Sequence, residues 1–88
     1  MEKRKLLNLG CGNRYHRDWV NIDSVSRNKS IIAHNLSKGI PYLDDYFDAI
    51  YHSHLLEHLS KEDGLKLIKE CYRVLKHGGI IRIAVPNL

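Results

Sequence analysis

The chain has 88 residues, 43% of them hydrophobic and 27% charged, which suits one soluble globular domain over residues 1–88 and excludes a disordered chain. No stretch approaches the ~18 consecutive apolar residues of a membrane-spanning helix. The net charge of +4 is the balance of 14 basic and 10 acidic residues, the basic ones scattered (Lys3, Arg4, Lys5, Arg14, Arg17, Lys61, Lys66, Lys69 and Lys76 among them) without a like-charge block or interleaved aromatics, so no nucleic-acid partner is expected.

A domain this small buries only ~60% of its unfolded surface, so marginal stability is expected. Met1–Lys5 is basic but no signal-peptide hydrophobic run follows, which makes a cytoplasmic location the expectation. Cys11 and Cys71 are far apart, match no CxxC pattern and read as free thiols.

Leu6-Leu7-Asn8-Leu9-Gly10-Cys11-Gly12-Asn13 reads as a short buried strand running into a glycine loop. Gly10 and Gly12 remove two β-carbons, which permits positive φ and close approach of a ligand to the main chain. A full dinucleotide fingerprint would carry a third glycine near Asn13–Tyr15, and none is there. Val20-Asn21-Ile22-Asp23 reads as a second short strand. The seven residues between Gly12 and Val20 fall short of the dozen or so that a parallel crossover takes, so one tight turn, or a single helical turn near Tyr15–Arg17, must make the connection. Asp23, at the end of this strand, can accept both ribose hydroxyls of an adenosine ligand. The alternative is a strand-terminal Asp closing a turn on Ser24.

Ser30–His34 reads as the third strand and Asn35–Tyr42 as a loop, with Gly39 and Pro41 excluding regular structure. Asn35 and Leu36 stand at that strand's carboxyl end, where a polar edge contact and an apolar contact would suit a purine; an Asn turn residue is the alternative. Phe47–Ser53 reads as the fourth strand and His54–Leu59 as a short helical turn. Ser60 then caps the longest helix, with Asp63 completing a box-like start. Leu65, Ile68, Tyr72 and Leu75 recur at helical spacing with Cys71 and Val74 flanking, and Glu62 to Lys66 adds an i,i+4 pair. His77, Gly78 and Gly79 are expected to end this helix. Ile80–Val85 reads as the fifth strand, stopped by Pro86 and reached by a right-handed crossover.

His52, His54 and His58 form an HxHxxxH string, but no further Asp, Cys or His cluster completes a four-ligand set, so no metal is expected. The alternative places His52, Ser53 and His54 at the mouth of a ligand crevice. A histidine there, His54 in particular, could act as general base, since its ordinary pKa lies near neutrality. Glu57 could do the same or orient a histidine. Ser53 and Cys11 lack the surroundings of a nucleophile, and Cys11 reads as a small residue tolerated near a ligand.

Three stretches carry a family resemblance. Leu7–Asn13 resembles the first motif of class I S-adenosylmethionine-dependent methyltransferases. Phe47–Leu59 resembles the fourth-strand motif of their small-molecule "type 11" group, and Glu70–Gly79 the helix-to-strand stretch that follows it. The resemblance implies an α/β Rossmann-like, mostly parallel sheet of order 3-2-1-4-5, with S-adenosyl-L-methionine as cofactor and a small-molecule methyl acceptor. It further implies that Gly10, Cys11 and Gly12 pass under the methionine portion, Asp23 holds the ribose, Asn35 and Leu36 flank the adenine, and His52 and Ser53 lie beside the sulfonium. Asn8 stands where the family often has an acid that meets the cofactor's amino group. Arg14 stands where a third glycine is frequent, and Asn35 where Asp is.

A complete member continues past the fifth strand to a helix and an antiparallel strand pair. On that comparison the chain is expected to lack the C-terminal antiparallel strands, leaving Ile80, Ile81, Ile83 and Val85 as an apolar edge. Self-association through that edge, a swapped segment, or membership of something longer is then expected. Two rival readings are a cofactor-binding module without turnover and a nicotinamide-binding Rossmann half.

Overall fold

The computed structural model describes residues 3–11, 14–26, 28–53 and 59–84, with the Ser53 side chain outside that set. The elements run β1 (Leu6–Leu9), β2 (Val20–Asp23), β3 (Ile31–Ala33), a 3-10 turn over Leu36–Lys38, β4 (Phe47–Ser53), α1 (Lys61–Val74) and β5 (Leu75–Ala84). The five strands form one sheet of order β3-β2-β1-β4-β5, and every neighbouring pair is parallel. This is the expected α/β Rossmann-like order. No helix among the described residues is long and apolar enough to cross a membrane.

Register decides which residues meet. Leu7 lies opposite Val20 and Ile50, and Leu9 opposite Ile22 and His52. Because strand side chains alternate, Leu7, Leu9, Ile22, Ile50 and His52 share one face. That face is the core: Leu7, Leu9, Ile22, Phe47 and Ile50 pack against Leu67, Cys71 and Val74 of α1. Asn8 and Asn21, opposite one another in register, point to the second face.

Two expectations about α1 need correction. The predicted stripe Leu65, Ile68, Tyr72 and Leu75 is not the face that packs inward. Gly64, Leu67, Cys71 and Val74 are buried, whereas Leu65 is 54% exposed and Tyr72 64% exposed. Both sets have helical spacing and differ by roughly one residue of rotation. The set with the small residues Gly64 and Cys71 lets the helix axis lie close to the sheet. The helix also ends at Val74 rather than at His77–Gly79, because Leu75 is already extended and pairs with Phe47. Ala49 then pairs with Ile80, so residues 76–79 are accommodated as an irregularity in β5, with Gly78 at φ 80°. The amino end is as expected: the Ser60 hydroxyl accepts from the Asp63 N–H at 3.1 Å.

The connection from β3 to β4 is fastened by a clamp that sequence reasoning missed. Arg73 of α1 donates to the Ile40 carbonyl (2.8 Å), the Tyr42 carbonyl (2.9 Å), Asp44 (2.7 Å) and Glu70 (2.6 Å). Glu70 in turn accepts from the Ile40 N–H at 2.9 Å. Hydrogen bonding to Arg73 holds the Glu70 carboxyl below its usual range, and Glu70 and Asp44 push the Arg73 guanidinium up. Gly39 belongs to the same device: its φ is 97°, and a β-carbon there would stand 2.5 Å from a Glu70 carboxylate oxygen.

Candidate cofactor-binding site

The site is built from the carboxyl ends of β1, β2 and β4. Parallel pairing brings Leu9, Ile22 and His52 level, so Gly10, Asp23 and Ser53 emerge on one edge of the sheet. Gly10 turns the chain at φ 62° while its N–H donates to the Ile22 carbonyl at 2.8 Å. The positive φ is the conformation for which glycine is suited, and it leaves bare main chain beside the tip of β2. The Arg14 N–H donates to the Cys11 carbonyl at 2.8 Å.

Cys11 is 7% exposed. Burial, and the Asp23 carboxylate after it, push its thiol up. A thiol held protonated in this way is a poor nucleophile. The Asp23 carboxylate accepts from the Ser24 N–H at 2.7 Å and from its hydroxyl at 3.5 Å. The turn-closing role weighed as an alternative is therefore present, and it orients the carboxylate at the strand tip.

At the end of β3, His34 donates its N–H to the Asp23 carbonyl at 2.9 Å, so the third tip lies beside the second. Asn35 caps the 3-10 turn, its side-chain oxygen accepting from the Ser37 N–H (3.0 Å) and hydroxyl (2.7 Å). Leu36, half-buried, packs against the core cluster.

His52 is fully buried on the face toward α1, between Leu9 and Ile83 in register. Neither ring nitrogen has a hydrogen-bond partner among the described residues. Burial lowers its pKa, so the imidazole is neutral. An unsatisfied buried polar group at a strand tip is costly, and a functional position is where such a cost is tolerated. Gly12, His54, Glu57 and His58 lie outside the described residues, as does the Ser53 side chain.

Asn8 is 2% exposed. Its amide donates to the Arg14 carbonyl at 3.0 Å and to the Asn21 side-chain oxygen at 3.1 Å. Asn21 was not singled out by sequence reasoning. Its only signal was a polar residue inside a strand otherwise fit for burial.

Residues 21–83 match the Methyltransferase domain family, and the chain belongs to it. That match runs from β2 to β5 and leaves the glycine loop outside it. Among curated proteins, the chain is 26% identical over 102 residues to a "Probable S-adenosylmethionine-dependent methyltransferase" of Mycolicibacterium smegmatis, covering 96% of this chain and 38% of that protein. It is likewise 26% identical over 101 residues to one from Mycobacterium tuberculosis, with 96% and 36% covered. The chain thus spans little more than a third of the length of these relatives.

Proposed function

We propose that this chain binds S-adenosyl-L-methionine at the tips of β1, β2 and β4 and forms the cofactor-binding core of a methyltransferase acting on a small-molecule acceptor. The observation that carries the reading is the juxtaposition of Gly10, with bare backbone at positive φ, and the Asp23 carboxylate on the same edge of a parallel sheet. A nucleoside fits that arrangement: Asp23 accepts from the ribose hydroxyls, the Gly10–Gly12 main chain lies under the methionyl chain, and Asn35 and Leu36 border the base. The nitrogens of His52, without partners among the described residues, fit a site in which a polar ligand completes the hydrogen bonding.

The cofactor, when bound, supplies an electrophilic methyl on a sulfonium sulfur. The work of this chain is to bind, orient and exclude water, which raises effective molarity without covalent chemistry. Cys11, held as a neutral thiol, contributes a small wall and no nucleophile. His54 is the proposed general base. The exposed apolar β5 edge, where Ile80 is 70% exposed and Ile83 41%, is the proposed surface of self-association.

The test is isothermal titration with S-adenosylmethionine. Asp23→Ala should weaken binding by about tenfold or more, the equivalent of one charge-assisted hydrogen bond. Unchanged affinity would remove Asp23 from the site.

A further inference from the structure

A parallel β–β connection ordinarily satisfies its backbone with a helix. Here the described part of the β1–β2 connection, Arg14–Trp19, contains turns and no helix. Its polar backbone groups must find partners elsewhere. Four of them, the Arg14, His16 and Trp19 carbonyls and the His16 N–H, find them on two buried carboxamides that stand side by side on the second face of the sheet. Asn21 is 1% exposed. Its side-chain nitrogen donates to the carbonyls of His16 (2.8 Å), Trp19 (3.1 Å) and Ser30 (3.3 Å). With two hydrogens for three acceptors, one is shared. Its side-chain oxygen accepts from the His16 N–H at 3.1 Å and from the Asn8 amide at 3.1 Å. Asn8 carries the chain of bonds onward to the Arg14 carbonyl at 3.0 Å, and Arg14 closes on Cys11.

We infer that Asn8 and Asn21 form a carboxamide strap that does the work of a crossover helix and fixes Arg14 and His16 beside Cys11 at the ligand-facing tip of β1. Both are positioning residues. The two amide hydrogens of Asn8 are already spent on Arg14 and Asn21, so neither is offered to a ligand. An acid at position 8 would present a carboxylate to the Arg14 carbonyl and the Asn21 oxygen, both acceptors, and could donate to neither. Asn21 cannot turn over to compensate, because its nitrogen end faces three carbonyls. The consequence for cofactor affinity rests on the function proposed above; the strap itself does not.

Three measurements on the full chain test it. In the wild type, the His16 amide should be protected from hydrogen exchange although it lies in irregular structure; exchange at the unprotected rate overturns the strap. In Asn8→Asp and Asn8→Leu, alkylation of Cys11 by iodoacetamide should quicken by about tenfold, the equivalent of one lost buried hydrogen bond. Cys71, fully buried with its thiol pushed up to about 12, should stay inert as the internal control. An unchanged Cys11 rate in folded variants overturns the positioning role. The same variants, titrated well below their melting temperatures, should bind S-adenosylmethionine about tenfold more weakly; unchanged affinity would reduce Asn8 to a stabilising residue. A wild type that binds no S-adenosylmethionine, yet passes the exchange and alkylation tests, refutes the cofactor reading and leaves the strap standing. Should the variants not fold, His16 exchange decides alone.

Discussion

Replacing Arg73 with alanine removes the central piece of the clamp between α1 and the β3–β4 connection. Its bonds to the Ile40 and Tyr42 carbonyls, at 2.8 and 2.9 Å, join a charged donor to backbone that is otherwise partly buried. Such bonds are worth about 1.5–3 kcal/mol each when fully buried, and the Arg73 side chain is 33% exposed, so about 1 kcal/mol each is the discounted figure. The ion pair with Glu70, itself 25% exposed, adds about 1 kcal/mol. The Asp44 arm, on a side chain 72% exposed, adds little. Arg73→Ala should therefore cost about 3 kcal/mol, a large share of the total for a domain stabilised by on the order of 0.1 kcal/mol per residue. Arg73→Lys keeps the charge but cannot span two carbonyls and Glu70 at once, and should recover less than half of that loss. Urea unfolding followed by circular dichroism measures both. A loss below about 0.5 kcal/mol for alanine, or full recovery with lysine, would refute the reasoning.

Substituting His52 with leucine should raise stability by about 1–2 kcal/mol, because the change removes two buried ring nitrogens that lack partners among the described residues; a lower melting temperature would count against it. Stability should depend on pH in two stages. The folded-state pKa of His52 is depressed, so its contribution is present above the unfolded value of about 6.5 and is lost as pH falls from there toward the folded value. Glu70 is likewise depressed, and its contribution falls away below about pH 4.3. The upper stage should vanish in His52→Leu, and a pH series of urea midpoints shows whether it does. Analytical ultracentrifugation at micromolar concentration should find self-association that Ile80→Lys weakens; a clean monomer with a well-protected β5 would contradict an edge-mediated contact.

Local pattern was enough to read most of the strands. Apolar runs bounded by turn residues marked β1, β2 and β4 at nearly their observed limits, and Ser60 marked the start of α1, because these signals act within a few residues. The sheet order followed from the family resemblance, and the strand tips that carry Gly10 and Asp23 followed from the sheet. Three things waited for tertiary structure. The inward face of α1 was one, since two helical stripes one residue apart are equally periodic and only contact with the sheet selects Gly64–Leu67–Cys71–Val74. The end of α1 was another, where pairing of Leu75 with Phe47 outweighed a glycine stop signal. The third was the pairing of distant polar groups: Arg73 with Ile40, and Asn8 with Asn21. Hydrogen bonds between residues far apart in the chain leave no periodic trace, because their partners are chosen by register and packing after the strands have met.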